Sequence, residues 1–393
     1  MNATSESSGA DGSWAAYSKA DMERRWARAR ALMADRGLDA LLISNEENFQ
    51  YFTGTTGTLG MHYSVTRPAA LILPVVGEPV AVVGELMSHS VKMTSYLSDV
   101  RGYANVLSFP TEMVVDAIKG LEGNIARIGT ELGQEQRMGM PVGDYMSISD
   151  TLGNITLEDA ADLIVKMRMV KTPEEVAHMR EAADITGRAR QRLFQEVAPG
   201  MTERDVVRRL RQLMLEEGAD RTSFIHVIAG FPVCHTQHHL DRPLEKGSVL
   251  YIDAGAYVRY HTIDYARCIS LGPASDEDKR AHDTLLEANT RMIDALKPGV
   301  SCSELHEIAA AVITGAGYEI IPSGRLGHGQ GLQFTEPPSI CPEDHTVLEE
   351  GMVISTEPEA TLNLLWEDVH VITADGHDQL TTESTEFHEV PFG

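Results

Sequence analysis

Five residues in the second half of the chain have the types that a dinuclear metal site requires: Asp253, Asp264, His328, Glu357 and Glu367. Asp253 ends an apolar run and meets a glycine, in Val249-Leu250-Tyr251-Ile252-Asp253-Ala254-Gly255. Asp264 opens the next run, in Ile263-Asp264-Tyr265-Ala266-Arg267, and His328 lies between glycines, in Gly327-His328-Gly329. Glu357 follows Met352-Val353-Ile354-Ser355-Thr356, and Glu367 stands in Trp366-Glu367-Asp368-Val369. The carboxylates together carry about four negative charges, and burying them without cations is prohibitive. Divalent ions would cancel that charge. Hard oxygen donors with one imidazole suit manganese, iron, cobalt or zinc better than a soft metal. Singly, each residue has an ordinary reading: a strand-end turn, a loop histidine, an exposed strand charge. As a set they differ, because apolar runs adjoin the carboxylates and their order fits no helical face or surface-charge pattern.

These residues need elements to hold them. Residues 249–253 and 263–271 read as neighbouring antiparallel strands, which places Asp253 and Asp264 side by side. Helices are expected at 276–296 and 302–316, and strands at 352–357 and 368–373. In the first helix of the pair, Leu285, Leu286, Ala288, Met292 and Ile293 form a core face. Helices on a curved antiparallel sheet make an α+β catalytic domain, placed at residues 164–393. Upstream, residues 22–36 form a helix capped by Asp21 and closed by Gly37, and 38–43 form a buried strand before a polar loop at 44–48. Strands follow at 69–74, 79–83 and 125–130, and alternation with helices predicts an α/β domain at residues 15–163. A helical region is expected from Leu157 to Val170. Thr172-Pro173-Glu174-Glu175 then starts a helix reaching Val197, and Thr202 caps another. Residues 1–14 read as a disordered tail.

Composition narrows the partners. A formal net charge of −25 excludes nucleic acid and anionic membrane, both of which need a positive footprint. Hydrophobic residues at 42% and charged residues at 23% suit an ordinary globular protein. The four cysteines, Cys234, Cys268, Cys302 and Cys341, form no C-x-x-C pair and read as reduced thiols in the cytoplasm. No apolar run reaches membrane-spanning length, and the Ser/Gly/Ala-rich start has no apolar core for a signal peptide.

The motifs resemble those of the pita-bread superfamily of methionine aminopeptidase, prolidase, aminopeptidase P and creatinase. The strands around Asp253 and Asp264 look like its Asp-x-Gly and Asp-x-x-Arg phrases. Gly327 to Leu332 with Thr335-Glu336-Pro337-Pro338 looks like its glycine-histidine-glycine loop. Gly351 to Pro358 and Glu367-Asp368 match its two glutamate motifs. Arg36-Gly37-Leu38-Asp39, Asn48-Phe49-Gln50-Tyr51 and Lys171-Thr172-Pro173-Glu174-Glu175 resemble the two-domain creatinase/prolidase branch.

That resemblance implies an α/β N-terminal domain joined to a pita-bread catalytic domain. It implies two divalent ions bridged by Asp264 and Glu367, with Asp253 on one ion and His328 with Glu357 on the other. Manganese is the first expectation, and zinc, cobalt or iron also fit. Water activated by the ions would attack an amide carbonyl, and Glu357 would carry its proton to the leaving nitrogen. The substrate would be an Xaa-Pro dipeptide or a small amide, and the protein a homodimer. The N-terminal domain would cover part of the neighbouring active site through loops bearing Asn48, Tyr51, His62 and Tyr63; their ordinary reading is plain loop structure.

The chain departs from the proline-peptide branch at three positions. A histidine upstream of the first aspartate is replaced by Thr236, with His235 one residue away and His238 and His239 beyond. We take His235 and His239 as catalytic candidates, against the ordinary reading of an exposed polar loop. The histidine before Glu336 is Thr335, and an arginine two residues before the last glutamate is Leu365. These changes leave the ligand set intact and alter its surroundings. They admit a non-peptidase of the creatinase, ectoine hydrolase or dimethylsulfoniopropionate lyase type as the alternative, or a catalytically inactive binding protein.

Overall fold

The computed structural model describes residues 14–56, 67–230, 241–362 and 364–393, in two compact units, Met1–Arg168 and Met169–Gly393. The first unit runs α1 (Lys19–Arg36), β1 (Ala40–Ile43), α2 (Glu46–Thr53), β2 (Ala70–Pro74), β3 (Val80–Gly84) and α3 (Glu85–Thr94). It continues through β4 (Asp99–Tyr103), α4 (Thr111–Lys119), β5 (Arg127–Thr130), α5 (Val142–Leu152), β6 (Thr156–Asp159) and α6 (Ala161–Met169). Its mixed sheet has the order β4-β3-β2-β1-β5-β6, with β1, β5 and β6 parallel to one another and β2 antiparallel to both neighbours.

Three local expectations change here. The cap of α1 is Ser18, whose hydroxyl accepts from the Asp21 amide; Asp21 is buried one turn in, where it pairs with Arg25 at 3.0 Å. The expected loop at 44–48 is the start of α2, capped by the Asn45 side chain. That helix buries Asn48 through Thr53 around most of its circumference, so no polar face marked it as a helix. Asn48 and Tyr51 are therefore buried helix residues rather than loop residues: Asn48 Nδ2 donates to Glu131 at 2.7 Å and the Tyr51 hydroxyl to the Met167 carbonyl at 2.9 Å. His62 and Tyr63 lie outside the described residues. Leu157 sits in β6, paired with Ile128, and the helix begins only at Ala161.

The second unit begins with α7 (Pro173–Glu196) and α8 (Glu203–Glu216). Both open on the expected caps, with reciprocal Thr172–Glu175 and Thr202–Asp205 hydrogen bonds. Then come β7 (Arg221–Ala229), β8 (Val249–Val258), β9 (His261–Thr262), β10 (Tyr265–Leu271), α9 (Asp276–Ala295) and α10 (Cys302–Gly315). The chain ends in β11 (Gly327–Gly329), β12 (Glu336–Ser339), β13 (Val353–Thr356), β14 (Asp368–Ile372), β15 (His377–Gln379) and β16 (His388–Val390). One sheet has the order β16-β10-β8-β7 with β9 on β8, and the other β12-β11-β13-β14-β15.

Strand alternation divides the apolar residues between two cores. Ile225, Val227, Leu250, Ile252, Val353 and Val369 face α7 and α8. Ile228, Val249, Tyr251, Cys268 and Ile354 face α9 and α10, where Leu285, Ala288 and Met292 meet Leu305 and Ala309. Both sheets feed both cores, so their strands are held as one helix-covered layer, and the five candidate ligands lie in its strands or immediately beside them.

Candidate metal centre

Asp253 lies within β8, directly opposite His226 of β7 and Ala266 of β10. Two residues on, Gly255 allows a close crossing: a Cβ there would stand 1.6 Å from the Ile263 carbonyl oxygen. That crossing brings Asp264, in the short break between β9 and β10, back beside Asp253. Gln330 fixes Asp264 by its backbone, accepting from its amide at 2.8 Å and donating to its carbonyl at 2.9 Å.

His328 is the middle residue of β11 rather than a loop residue. It pairs with Ser355 of β13 and Ser339 of β12. Gly329 beside it is required by close packing, since a Cβ would stand 2.3 Å from the Pro337 carbonyl oxygen. Glu357 follows the last residue of β13 and Glu367 precedes the first of β14, with Thr356 and Asp368 paired between them. All five side chains are buried.

Their atoms converge. Donor atoms of Asp264, His328 and Glu367 all lie within 4.8 Å of one another. His328 Nε2 is 3.7 Å from Asp264 Oδ2, 3.7 Å from Glu357 Oε2 and 3.8 Å from Glu367 Oε1. Burial, then the charges of Asp253 and Glu367, push the Asp264 carboxyl well above its ordinary range. Burial, then Glu357 and Asp253, raise Glu367 in the same way. Without cations the cluster would have to hold protons to stay buried.

The residues fit divalent cations on three observations. Asp253 Oδ1, Asp264 Oδ1 and Glu367 Oε2 are buried with no hydrogen-bond partner among the described residues, an arrangement folded proteins otherwise avoid. His328 Nδ1 is 2.9 Å from the Gly329 carbonyl, so Nδ1 carries the hydrogen and Nε2 offers its lone pair to the carboxylate cluster. Burial lowers this imidazole to about 3, which keeps that lone pair available.

Several supporting residues had no role assigned from the sequence, although Arg267 stood in the Asp-x-x-Arg phrase. The Tyr251 hydroxyl donates to Asp253 Oδ2 at 2.9 Å, and the Ser355 hydroxyl donates to Glu367 Oε1. Arg267 donates to the Glu367 carbonyl and, at 2.6 Å, to Asp368 Oδ1. Tyr251 and Ser355 sit two residues from a ligand along or across a strand, and that spacing was the available clue. His226 Nδ1, 3.8 Å from Asp253 Oδ2, was likewise unmarked. His235, Thr236, His238 and His239 lie outside the described residues. Thr335 is in the turn before β12, and Leu365 is buried and bridged to Glu359. Among the described residues, no helix is long and apolar enough to cross a membrane.

This chain is similar to known proteins over most of its length. Residues 177–375 match the model of metallopeptidase family M24, and residues 25–170 match the creatinase/prolidase N-terminal domain. An Xaa-Pro dipeptidase of Pyrococcus furiosus is 29% identical over 93% of this chain and 99% of its own. One of Pyrococcus horikoshii is 28% identical over 90% of this chain and 95% of its own. The crystal structure of dipeptidase PepE from Mycobacterium ulcerans superimposes with a TM-score of 0.81 at 27% identity, covering 95% of this chain and 99% of that one.

Proposed function

Because this chain belongs to metallopeptidase family M24, within the creatinase/prolidase/aminopeptidase P superfamily, we propose that this hydrolase cleaves the amide bond of Xaa-Pro dipeptides. In this reading Asp253, Asp264, His328, Glu357 and Glu367 would hold two divalent cations, manganese first among them. The observation that carries it is the group of partnerless buried oxygens on Asp253, Asp264 and Glu367. The names of the Pyrococcus relatives support the substrate class.

Bound cations would neutralise the carboxylates, polarise the scissile carbonyl and lower the pKa of water. The chain's own groups supply the rest. Tyr251 and Ser355 each donate to one oxygen of a carboxylate, and the other oxygen has no hydrogen-bond partner among the described residues. Glu357, with Oε2 3.7 Å from His328 Nε2, takes the proton of the attacking water and delivers it to the leaving nitrogen. His235 or His239 would steady the substrate carbonyl. The reading includes a homodimer. It also includes a cytoplasmic location, which the unpaired Cys268, Cys302 and Cys341 support.

A second reading, hydrolysis of a small non-peptide amide, is favoured by Thr335 and Leu365, which stand where the proline-peptide branch has a histidine and an arginine. A panel of Xaa-Pro dipeptides and small cyclic amides, assayed with manganese, cobalt, zinc and iron, separates the two. Turnover of the dipeptides is expected. Turnover of cyclic amides alone would replace the first reading with the second, and no turnover with either class would remove both.

A further inference from the structure

One strand away from Asp253 lies an imidazole that the scheme above leaves unused. His226 is the cross-strand partner of Asp253, so both side chains leave the sheet on the same face. It is buried, and its Nδ1 stands 3.8 Å from Asp253 Oδ2. Phe224 packs on the ring, with centroids 4.9 Å apart, and Phe334 packs on Phe224 at 4.6 Å. The imidazole is thus held in place from its outer side while its inner side meets a candidate ligand.

The spacing matches that of the imidazole already assigned. His328 Nε2 stands 3.7 Å from Asp264, 3.7 Å from Glu357 and 3.8 Å from Glu367. Donor atoms at about 2.1 Å from one ion can lie at most about 4.2 Å apart. His226 and Asp253 fall within that limit, and Asp253 also presents its partnerless Oδ1.

We infer that His226 is an additional nitrogen donor to the cation held by Asp253, giving each half of the centre one imidazole. The inference rests on the metal-centre reading above. An imidazole in each half moves the donor set away from all-oxygen coordination and toward cobalt and zinc.

The test is titration of the full-length, metal-free protein with cobalt, followed by calorimetry and visible absorption, for wild type, His226→Phe and His226→Ala. Phenylalanine keeps a ring against Phe224 and removes both nitrogens. Wild type is expected to take up cobalt in two steps. Both variants are expected to keep one step at wild-type affinity and to weaken the other about 10- to 100-fold, with a changed cobalt spectrum. Unchanged affinities and spectra in His226→Phe overturn the inference, and a loss confined to His226→Ala does so too, since that marks packing alone. Wild type that binds no cobalt overturns the metal centre itself, and this inference with it.

Discussion

Arg267 and Asp368 form an ion pair buried directly behind the metal-centre candidates, Nη2 to Oδ1 at 2.6 Å. Asp368 is held on all sides, by Asn289 and Trp366 at 2.9 Å on Oδ2 and by Thr381 at 2.8 Å on Oδ1. Burial alone would raise its carboxyl, but the Arg267 charge and these hydrogen bonds bring it below its ordinary value. Arg267 also holds the Glu367 carbonyl, so the pair sets the backbone from which Glu367 projects. Asp368→Asn leaves a buried guanidinium without its counter-charge. We expect a loss of about 3–5 kcal/mol in urea denaturation and reduced metal content. Unchanged stability would show that the pair contributes little.

Tyr251 occupies the same kind of position behind Asp253. Its hydroxyl donates to Oδ2, and burial followed by the Asp253 charge raises its own ionisation, so it remains a donor at any working pH. Tyr251→Phe removes one hydrogen bond and little volume. Metal affinity is expected to fall about 10- to 100-fold in chelator competition, with thermal stability of the metal-free protein nearly unchanged. Equal affinity in the variant would rule out this orienting role.

The ligand candidates were legible because the carboxylates lie in or beside short apolar runs, and a carboxylate buried there must be compensated. The caps Thr172 and Thr202 were legible because a capping box is a local pattern. The α2 helix was not, since Asn48 and Gln50 look polar in sequence and are buried in the fold. Asp21 looked like a cap because its partner Arg25 lies one turn away and gives no local cue. Gln330 and His226 were invisible for a related reason: their roles depend on cross-strand or distant partners, which no local pattern specifies.

Removing cations should cost stability, because Asp253, Asp264, Glu357 and Glu367 would then repel one another within a buried site. A cation at a concentration 100-fold above its dissociation constant adds about 2.7 kcal/mol. Thermal unfolding of metal-free protein is therefore expected to shift upward on adding manganese. Asp264→Asn removes one buried charge from the cluster. The metal-free variant should unfold no earlier than metal-free wild type and should gain less from manganese. A full manganese shift in this variant would remove Asp264 from the ligand set.

His370 supplies a pH test that stands apart from the ligands. It is fully buried in β14, between Ile354 and Gln379, and neither ring nitrogen has a hydrogen-bond partner among the described residues. Burial lowers its pKa to about 4. An unfolded chain protonates this residue below about pH 6.5, whereas the folded chain keeps it neutral until about 4. The unfolded state therefore binds more protons within that window. Stability present above pH 6.5 is lost as pH falls toward 4, at up to about 1.4 kcal/mol per pH unit. His370→Leu removes the titrating group and a buried polar ring without stranding a partner. It should be near neutral at pH 7 and more stable than wild type at pH 4.5, as read from urea midpoints at the two pH values. Parallel pH profiles for the two proteins would show that His370 does not titrate in this way.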